Sequence, residues 1–274
     1  MMMKVELKTW AGLGLATALA GAGLSGCTSG AETDGEVAET AQTGENGEGG
    51  EGGEGGEGGV SITGAAKDPI VYNSALAVAE AHAIAARDAF AVGRTDAAAE
   101  MFAHPVSEVL VEMDPVFAER GVEDFKDLFA QASDAILDGE GAEAVSARYD
   151  AIIAALRGAA ERAPEDGTSD AIIAAGVASD MIDRASSMYR VAVNTERYEP
   201  YLDGYGFYKA AERSFEANST IIASEDEELH ALLTEALELL AQAYPGAEPL
   251  AALDADQEAL NSASARVELR VFGG

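Results

Sequence analysis

The sequence predicts an all-α fold, an up-and-down multi-helix bundle that follows a disordered N-terminal tether. From Asp68 onward, apolar side chains recur at steps of three and four residues, as at Phe125, Phe129, Ala132 and Ile136. This spacing is typical of helices that bury one face. No segment alternates apolar and polar residues between turn signals, so no strand is predicted.

Prolines and capping side chains place the predicted helix starts. Asp68 before Pro69 combines an N-capping carboxylate with a residue that needs no amide hydrogen bond in the first turn. Other starts are marked by Asp114-Pro115, Glu199-Pro200, Ser224 with Glu227, and Asp254 with Gln257. The predicted helices cover residues 69–92, 95–103, 105–119, 122–138, 142–162, 169–196, 200–223, 226–243 and 254–272. The short connections predict antiparallel neighbours.

The N-terminus has the composition of a secretory signal. Lys4 and Lys8 precede an uncharged apolar stretch over 10–24, which is shorter than the roughly 20 residues of a membrane span. Leu24-Ser25-Gly26-Cys27 follows and resembles the bacterial lipobox, with the only cysteine of the chain at the position that is lipidated. The resemblance implies a lipoprotein with signal peptide 1–26, anchored through Cys27 in the cell envelope. It favours the outer membrane, facing the periplasm, because Thr28 rather than Asp follows the cysteine.

Residues 27–66 are predicted to form the tether. Glu48, Glu51, Glu54 and Glu57 are each followed by two glycines, and the stretch lacks Lys, Arg and aromatic residues before Lys67. Such a composition buries too little apolar surface to offset chain entropy. The tether therefore separates the membrane anchor from a helical domain over 67–274.

Charge and cysteine content exclude several classes of protein. With 17 basic against 49 acidic residues, the chain has a formal net charge of −32. Nucleic-acid binding and electrostatic adhesion to anionic lipids both require a cationic surface. One cysteine excludes an internal disulfide and a multi-cysteine zinc site. The membrane is therefore expected as a partner only through the N-terminal lipid.

The histidines give the first candidate site. His82 lies on an apolar stripe of a predicted helix, and His104 precedes Pro105 and Glu108. Pro105 is predicted to keep His104 out of the helical backbone, where it would cap a helix. The structural alternative for His82 is a hydrogen-bonded core residue. The functional interpretation is a metal site formed by His82, His104 and Glu108 across a helical hairpin, because imidazole with carboxylate suits iron, zinc or manganese.

A tyrosine-rich segment gives the second candidate site. Four of the eight tyrosines lie between residues 198 and 208, together with Gly204 and Gly206, which allow another backbone to approach closely. Such tyrosines either line a ligand cleft or fill the core with their hydroxyls bonded. The predicted ligand-binding residues are Tyr198, Tyr201, Asp203, Tyr205 and Tyr208.

No standard catalytic motif is found: the chain lacks a P-loop, GxSxG, HExxH and a dinucleotide-binding glycine pattern. The sequence therefore favours a non-enzymatic protein, with a paired-carboxylate hydrolase left open.

An envelope protein with an all-helical body and a His…His-x-x-x-Glu element resembles the imelysin-like periplasmic proteins. That family consists of helical bundles, and several members are linked to iron uptake. Its motif is GxHxxE, whereas His104 here precedes Glu108 by four residues with Pro105 between them. Only His104 and Glu108 correspond, loosely, to the family motif.

The sequence as a whole predicts a lipid-anchored helical protein of the cell envelope that binds a metal ion, such as iron or another divalent metal, or a small ligand. The alternative is a non-catalytic scaffold lipoprotein that binds an envelope protein partner.

Overall fold

The described part of the chain is built from α-helices and contains no strand. A computed structural model describes residues 59–273. The predicted signal peptide, Cys27 and the tether up to residue 58 lie outside the described residues. The helices are α1 (Ile62–Ala65), α2 (Pro69–Ala91), α3 (Thr95–Pro105), α4 (Val111–Arg120), α5 (Lys126–Leu137), α6 (Ala142–Ala160), α7 (Asp170–Val193), α8 (Glu199–Glu225), α9 (Glu227–Ala243) and α10 (Gln257–Phe272). The all-α prediction is confirmed.

Helix α2 lies at the centre of the body and contacts α3, α6, α7 and α8. Its sequence explains this position, because it is rich in alanine around its whole circumference, and a helix that is apolar on all sides is buried. Asp68 caps α2 as predicted, with its carboxylate accepting from the amides of Ile70 and Val71. Pro69 occupies the first turn.

Helices α7 and α8 run antiparallel. The first turns of α7 lie beside the later part of α8, where the Ser214 hydroxyl donates to the Ala174 carbonyl and the Ser169 hydroxyl donates to Glu225. Helix α8 also pairs with α2, where the Tyr205 hydroxyl donates to Asp88. These pairings place α8 in the groove between α2 and α7.

Two glycines allow α8 to approach its neighbours closely. A Cβ added at Gly206 would lie 2.5 Å from the Ala81 carbonyl oxygen of α2. A Cβ at Gly204 would lie within overlap distance of the Tyr244 hydroxyl, which donates to the Ala185 carbonyl. Larger residues at either position would push α8 away from α2 and from the 244–247 segment.

The predicted break at Pro105 is wrong. Helix α3 passes through Pro105 into a π-helical turn over Val106–Leu110 and on into α4, and His104 lies inside α3 instead of capping a helix. The π-helical turn follows Pro105 directly, and the Val111 amide donates to the Val106 carbonyl, five residues back. Pro115 likewise lies within α4, so Asp114-Pro115 does not start a helix.

Three predicted boundaries also shift. Asp226, not Ser224, caps α9, because α8 continues to Glu225 and Asp226 accepts from the Leu229 amide. Asp256 caps α10 in place of Asp254. Val60 and Ala65 are buried in the core, so the folded body begins before the predicted boundary at residue 66. Between residues 59 and 273, no helix has both the length and the apolar character that a membrane crossing requires.

Candidate metal centre

His82 is buried in the middle of α2, with 4% of its side chain exposed. Its Nδ1 lies 2.8 Å from the Val78 carbonyl oxygen of the preceding turn. A carbonyl can only accept, so Nδ1 carries the proton and donates it. This bond fixes the orientation of the ring and directs Nε2 away from α2. Metal-binding histidines are commonly oriented in the same way, with one ring nitrogen donating to a carbonyl and the other facing the metal.

Glu108 faces His82 from the π-helical turn. Its Oε2 lies 3.2 Å from His82 Nε2, and its Oε1 lies 3.7 Å from His104 Nδ1. The His82 and His104 rings meet edge-on with their centroids 6.0 Å apart. The predicted convergence of His82, His104 and Glu108 across the hairpin is therefore present in the structure. π-helical turns of this kind occur often at functional sites.

Asp203 approaches the same point from α8. Its Oδ1 lies 3.7 Å from His82 Nε2. This oxygen is buried, and it has no hydrogen-bond partner among the described residues. A buried acceptor without a donor costs roughly 1–3 kcal/mol, so its retention needs a reason. The sequence predicts Asp203 as a ligand-binding residue beside the tyrosines, whereas in the structure it lies beside the histidines.

His82, His104 and Asp203 form a geometry that can hold a cation. Each offers one ligand atom, and these atoms lie within 4.8 Å of one another. Two imidazoles and one carboxylate, with the Glu108 carboxylate beside them, are donors that suit iron, zinc or manganese. The unpartnered Asp203 oxygen is the observation that favours a metal over a closed hydrogen-bond network.

The charges of the cluster are coupled. Burial disfavours a protonated His82, but the hydrogen bond with Glu108 and the nearby carboxylate charges together raise the pKa of His82 above its ordinary value. The same hydrogen bond lowers the pKa of Glu108. Burial raises the pKa of Asp203, although the charge of His82 opposes this. In the metal-free protein, the extra proton on His82 gives the ring a positive charge that partly balances the negative charges of Glu108 and Asp203. A bound metal cation could replace that proton.

The cluster opens into a cavity of about 470 Å³. His82, Glu108 and Asp203 lie on one side, and α7 forms the other with Asp180, Asp183, Arg184, Ser187 and Met188. Phe207 lies between the two sides: its ring is 5.7 Å from that of His82, and the Arg184 guanidinium lies 5.8 Å from its centroid. The polar side chains of α7 could not be recognised as site residues from the sequence, because their spacing alone does not distinguish a cavity wall from a solvated face.

The four predicted ligand-binding tyrosines have structural partners instead. The hydroxyls of Tyr198 and Tyr201 donate to the carbonyls of Ala247 and Gly246, at 2.8 Å each. Those of Tyr205 and Tyr208 donate to Asp88 and Glu212, at 2.8 and 2.7 Å. None of the four lines the cavity beside the cluster, within the residues that the structure describes. Tyr198, Tyr201 and Tyr205 therefore fasten α8 to the 244–247 segment and to α2, whereas Tyr208 bonds within α8.

The third histidine lies apart from the cluster. His230 is on α9, with Nε2 2.8 Å from the Ser219 hydroxyl and its ring against Phe215. It serves as a matched control for the other two histidines.

Compared with known proteins, the chain matches no family model, no curated protein and no solved structure, so the resemblance to imelysin-like proteins stays a prediction.

Proposed function

We propose that this protein is a lipid-anchored protein of the cell envelope that binds a transition-metal ion through His82, His104 and Asp203, with Glu108 as a fourth donor. The observation that carries the proposal is the buried Asp203 oxygen, which faces His82 Nε2 without a hydrogen-bond donor. A metal ion would satisfy that oxygen and would also bind His82 Nε2 in place of the proton that this nitrogen holds.

The origin of the ligands supports binding of one ion at a defined position. His82 comes from α2, His104 and Glu108 from the α3 helix and its π-helical turn, and Asp203 from α8. Each backbone is held by packing, so the donors are arranged before a cation arrives. Such an arrangement lowers the entropy cost of binding.

Titration with Zn²⁺ tests the site. We expect the full chain to bind one ion at the cluster at pH 7.5 in high KCl, which screens the many exposed carboxylates. His82→Gln and Asp203→Asn should each weaken binding by about tenfold or more. His230→Gln, a matched histidine change outside the cluster, should leave the affinity unchanged. Equal affinity in all four proteins, measured calorimetrically, would overturn the assigned site.

The lipid anchor is supported by the sequence at Leu24-Ser25-Gly26-Cys27. Cys27→Ser removes the thiol that would carry the lipid. We expect this variant to leave the membrane fraction of a bacterial host while the parent protein stays in it. Retention of both proteins in the membrane would contradict anchoring through Cys27.

A further inference from the structure

We infer that the metal centre keeps coordination positions open toward the cavity, where the bound ion takes a small exogenous anion with two oxygen donors, such as a hydroxamate or an α-hydroxycarboxylate. This inference rests on the proposed function, because it needs a metal at His82, His104 and Asp203.

The protein ligands come from one side of the site. The group of ligand atoms within 4.8 Å of one another, among residues 59–273, contains none from α7. The α7 carboxylates have other partners: Asp180 accepts from Arg184 Nε at 3.1 Å, and Asp183 accepts from the Ser264 hydroxyl at 3.2 Å. Three or four protein donors leave about two to three positions of an octahedral ion open on the α7 side.

The cavity is larger than those positions need for water alone. A water molecule takes about 30 Å³ of liquid volume, whereas the cavity measures about 470 Å³. Small-molecule sites typically measure about 300–1,000 Å³ and combine apolar walls with a few polar groups. Val78, Met188 and Phe207 supply apolar surface here, while Ser187 supplies a hydroxyl group.

The charge of the lining makes ligand binding conditional on the metal. Glu108, Asp180, Asp183 and Asp203 outnumber Arg184 and the protonated His82, the cationic side chains among the described lining residues, by four to two. An anion is repelled from this lining, but a bound cation attracts it and bonds to it directly. The anion therefore enters with the metal or after it, and a chelate with adjacent oxygens fits two neighbouring open positions.

The α7 wall offers a substitution that separates ligand binding from metal binding. Ser187 is half-buried and faces the cavity, and it is not among the proposed metal ligands. Ser187→Phe fills the space opposite the metal and leaves its donors in place. Val191→Phe puts the same ring one turn further along α7, at an exposed position outside the cavity lining.

The experiment uses the full chain loaded with one Co²⁺ and titrated with acetohydroxamate. We expect a saturable 1:1 shift of the cobalt visible bands, with protein, cobalt and ligand eluting together in gel filtration. The metal-free protein should bind no acetohydroxamate. Ser187→Phe should keep Co²⁺ but bind acetohydroxamate about tenfold more weakly or worse, and Val191→Phe should match the parent. If Ser187→Phe misfolds, Ser187→Leu replaces it as the variant that fills the cavity.

The outcomes separate the two proposals. A protein that binds no Co²⁺ at the cluster fails the proposed function itself. A protein that holds Co²⁺ with an unchanged spectrum at saturating acetohydroxamate, or that loses its cobalt to the free chelate, overturns the open-site inference alone. Equal binding by Ser187→Phe and the parent would also overturn it, because the ligand would then lie outside the cavity.

Discussion

Asp203 Oδ1 lies 3.7 Å from His82 Nε2, yet the two residues belong to helices that are far apart in the chain. The distance is set by the close packing of α8 on α2, where Gly206 leaves room for the Ala81 carbonyl. The same packing buries Oδ1 of Asp203 and leaves it without a donor among the described residues. The packing of α8 on α2 thus stabilises the fold, but it also places a destabilising polar group at the helix interface. Such a combination is common at binding sites.

The first prediction concerns the stability cost of Asp203. Asp203→Asn should raise the free energy of unfolding of the metal-free protein at pH 7 by about 1 kcal/mol. The sign follows from the raised pKa of Asp203, because the folded state disfavours the ionised carboxylate that the unfolded chain carries at pH 7. Urea denaturation of the metal-free proteins measures the difference.

Asp183→Asn provides the control for that prediction, since Asp183 is an exposed carboxylate that accepts a hydrogen bond from Ser264. It should not stabilise the protein. A loss of stability in Asp203→Asn would show that the Asp203 charge contributes to folding, and would remove the reason for placing a cation beside it.

The second prediction concerns pH. Metal binding must displace the proton that His82 holds, and the pKa of His82 is raised above its ordinary value of about 6.5. The affinity for Zn²⁺ should therefore increase with pH by up to about tenfold per unit below that raised pKa, and level off above it. Calorimetry at several pH values tests this. An affinity that stays constant between pH 6 and 8 would mean that His82 is not a ligand.

A third prediction follows from the approach of α8 to α2. Gly206→Ala places a Cβ 2.5 Å from the Ala81 carbonyl oxygen, so we expect a loss of about 1–3 kcal/mol in stability from overpacking. The shift of α8 should also weaken metal binding, because Asp203 moves with it. Thermal unfolding and metal titration measure the two effects.

Gly158→Ala is the matched control for Gly206→Ala. Gly158 lies in α6, and an added Cβ there would meet nothing within 4 Å. The change should be neutral or stabilise by up to about 1 kcal/mol through helix propensity, with unchanged metal affinity. Similar behaviour of the two glycine variants would show that close packing at Gly206 does not position the site.

The fourth prediction separates the tyrosines from the site. Tyr201→Phe removes the hydrogen bond to the Gly246 carbonyl and should cost about 1 kcal/mol of stability. It should leave metal affinity and acetohydroxamate binding unchanged, since the hydroxyl does not reach the cavity. A clear change in either binding constant would restore the ligand-binding role that the sequence suggested for Tyr201.

Much of the helical fold could be predicted from the sequence because its signals are local. Periodic apolar residues and the Asp68-Pro69 start mark α2 in a window of a few turns. The helix break predicted at Pro105 was wrong for a physical reason. Proline normally ends a helix, but a π-helical turn continues this one, and the packing of α3 on α2 and α5 decides that outcome.

The candidate site was only partly predictable for a related reason. His82, His104 and Glu108 are close in sequence, so a single hairpin brings them together and their residue types indicate a metal. Asp203 stood out only by its aromatic neighbours. Whether its carboxylate or the tyrosine hydroxyls would face the histidines depends on the rotation of α8, which residues on α2 and α7 determine.

The sequence by itself determined the helical class, the position of the lipobox-like cysteine and three candidate metal donors, His82, His104 and Glu108, because residue type and local spacing indicate each of these. The tertiary structure decided which donors meet, which tyrosines are already bonded, and that a cavity lies beside the cluster. Those features depend on contacts between helices remote in the chain, and local spacing carries no information about them.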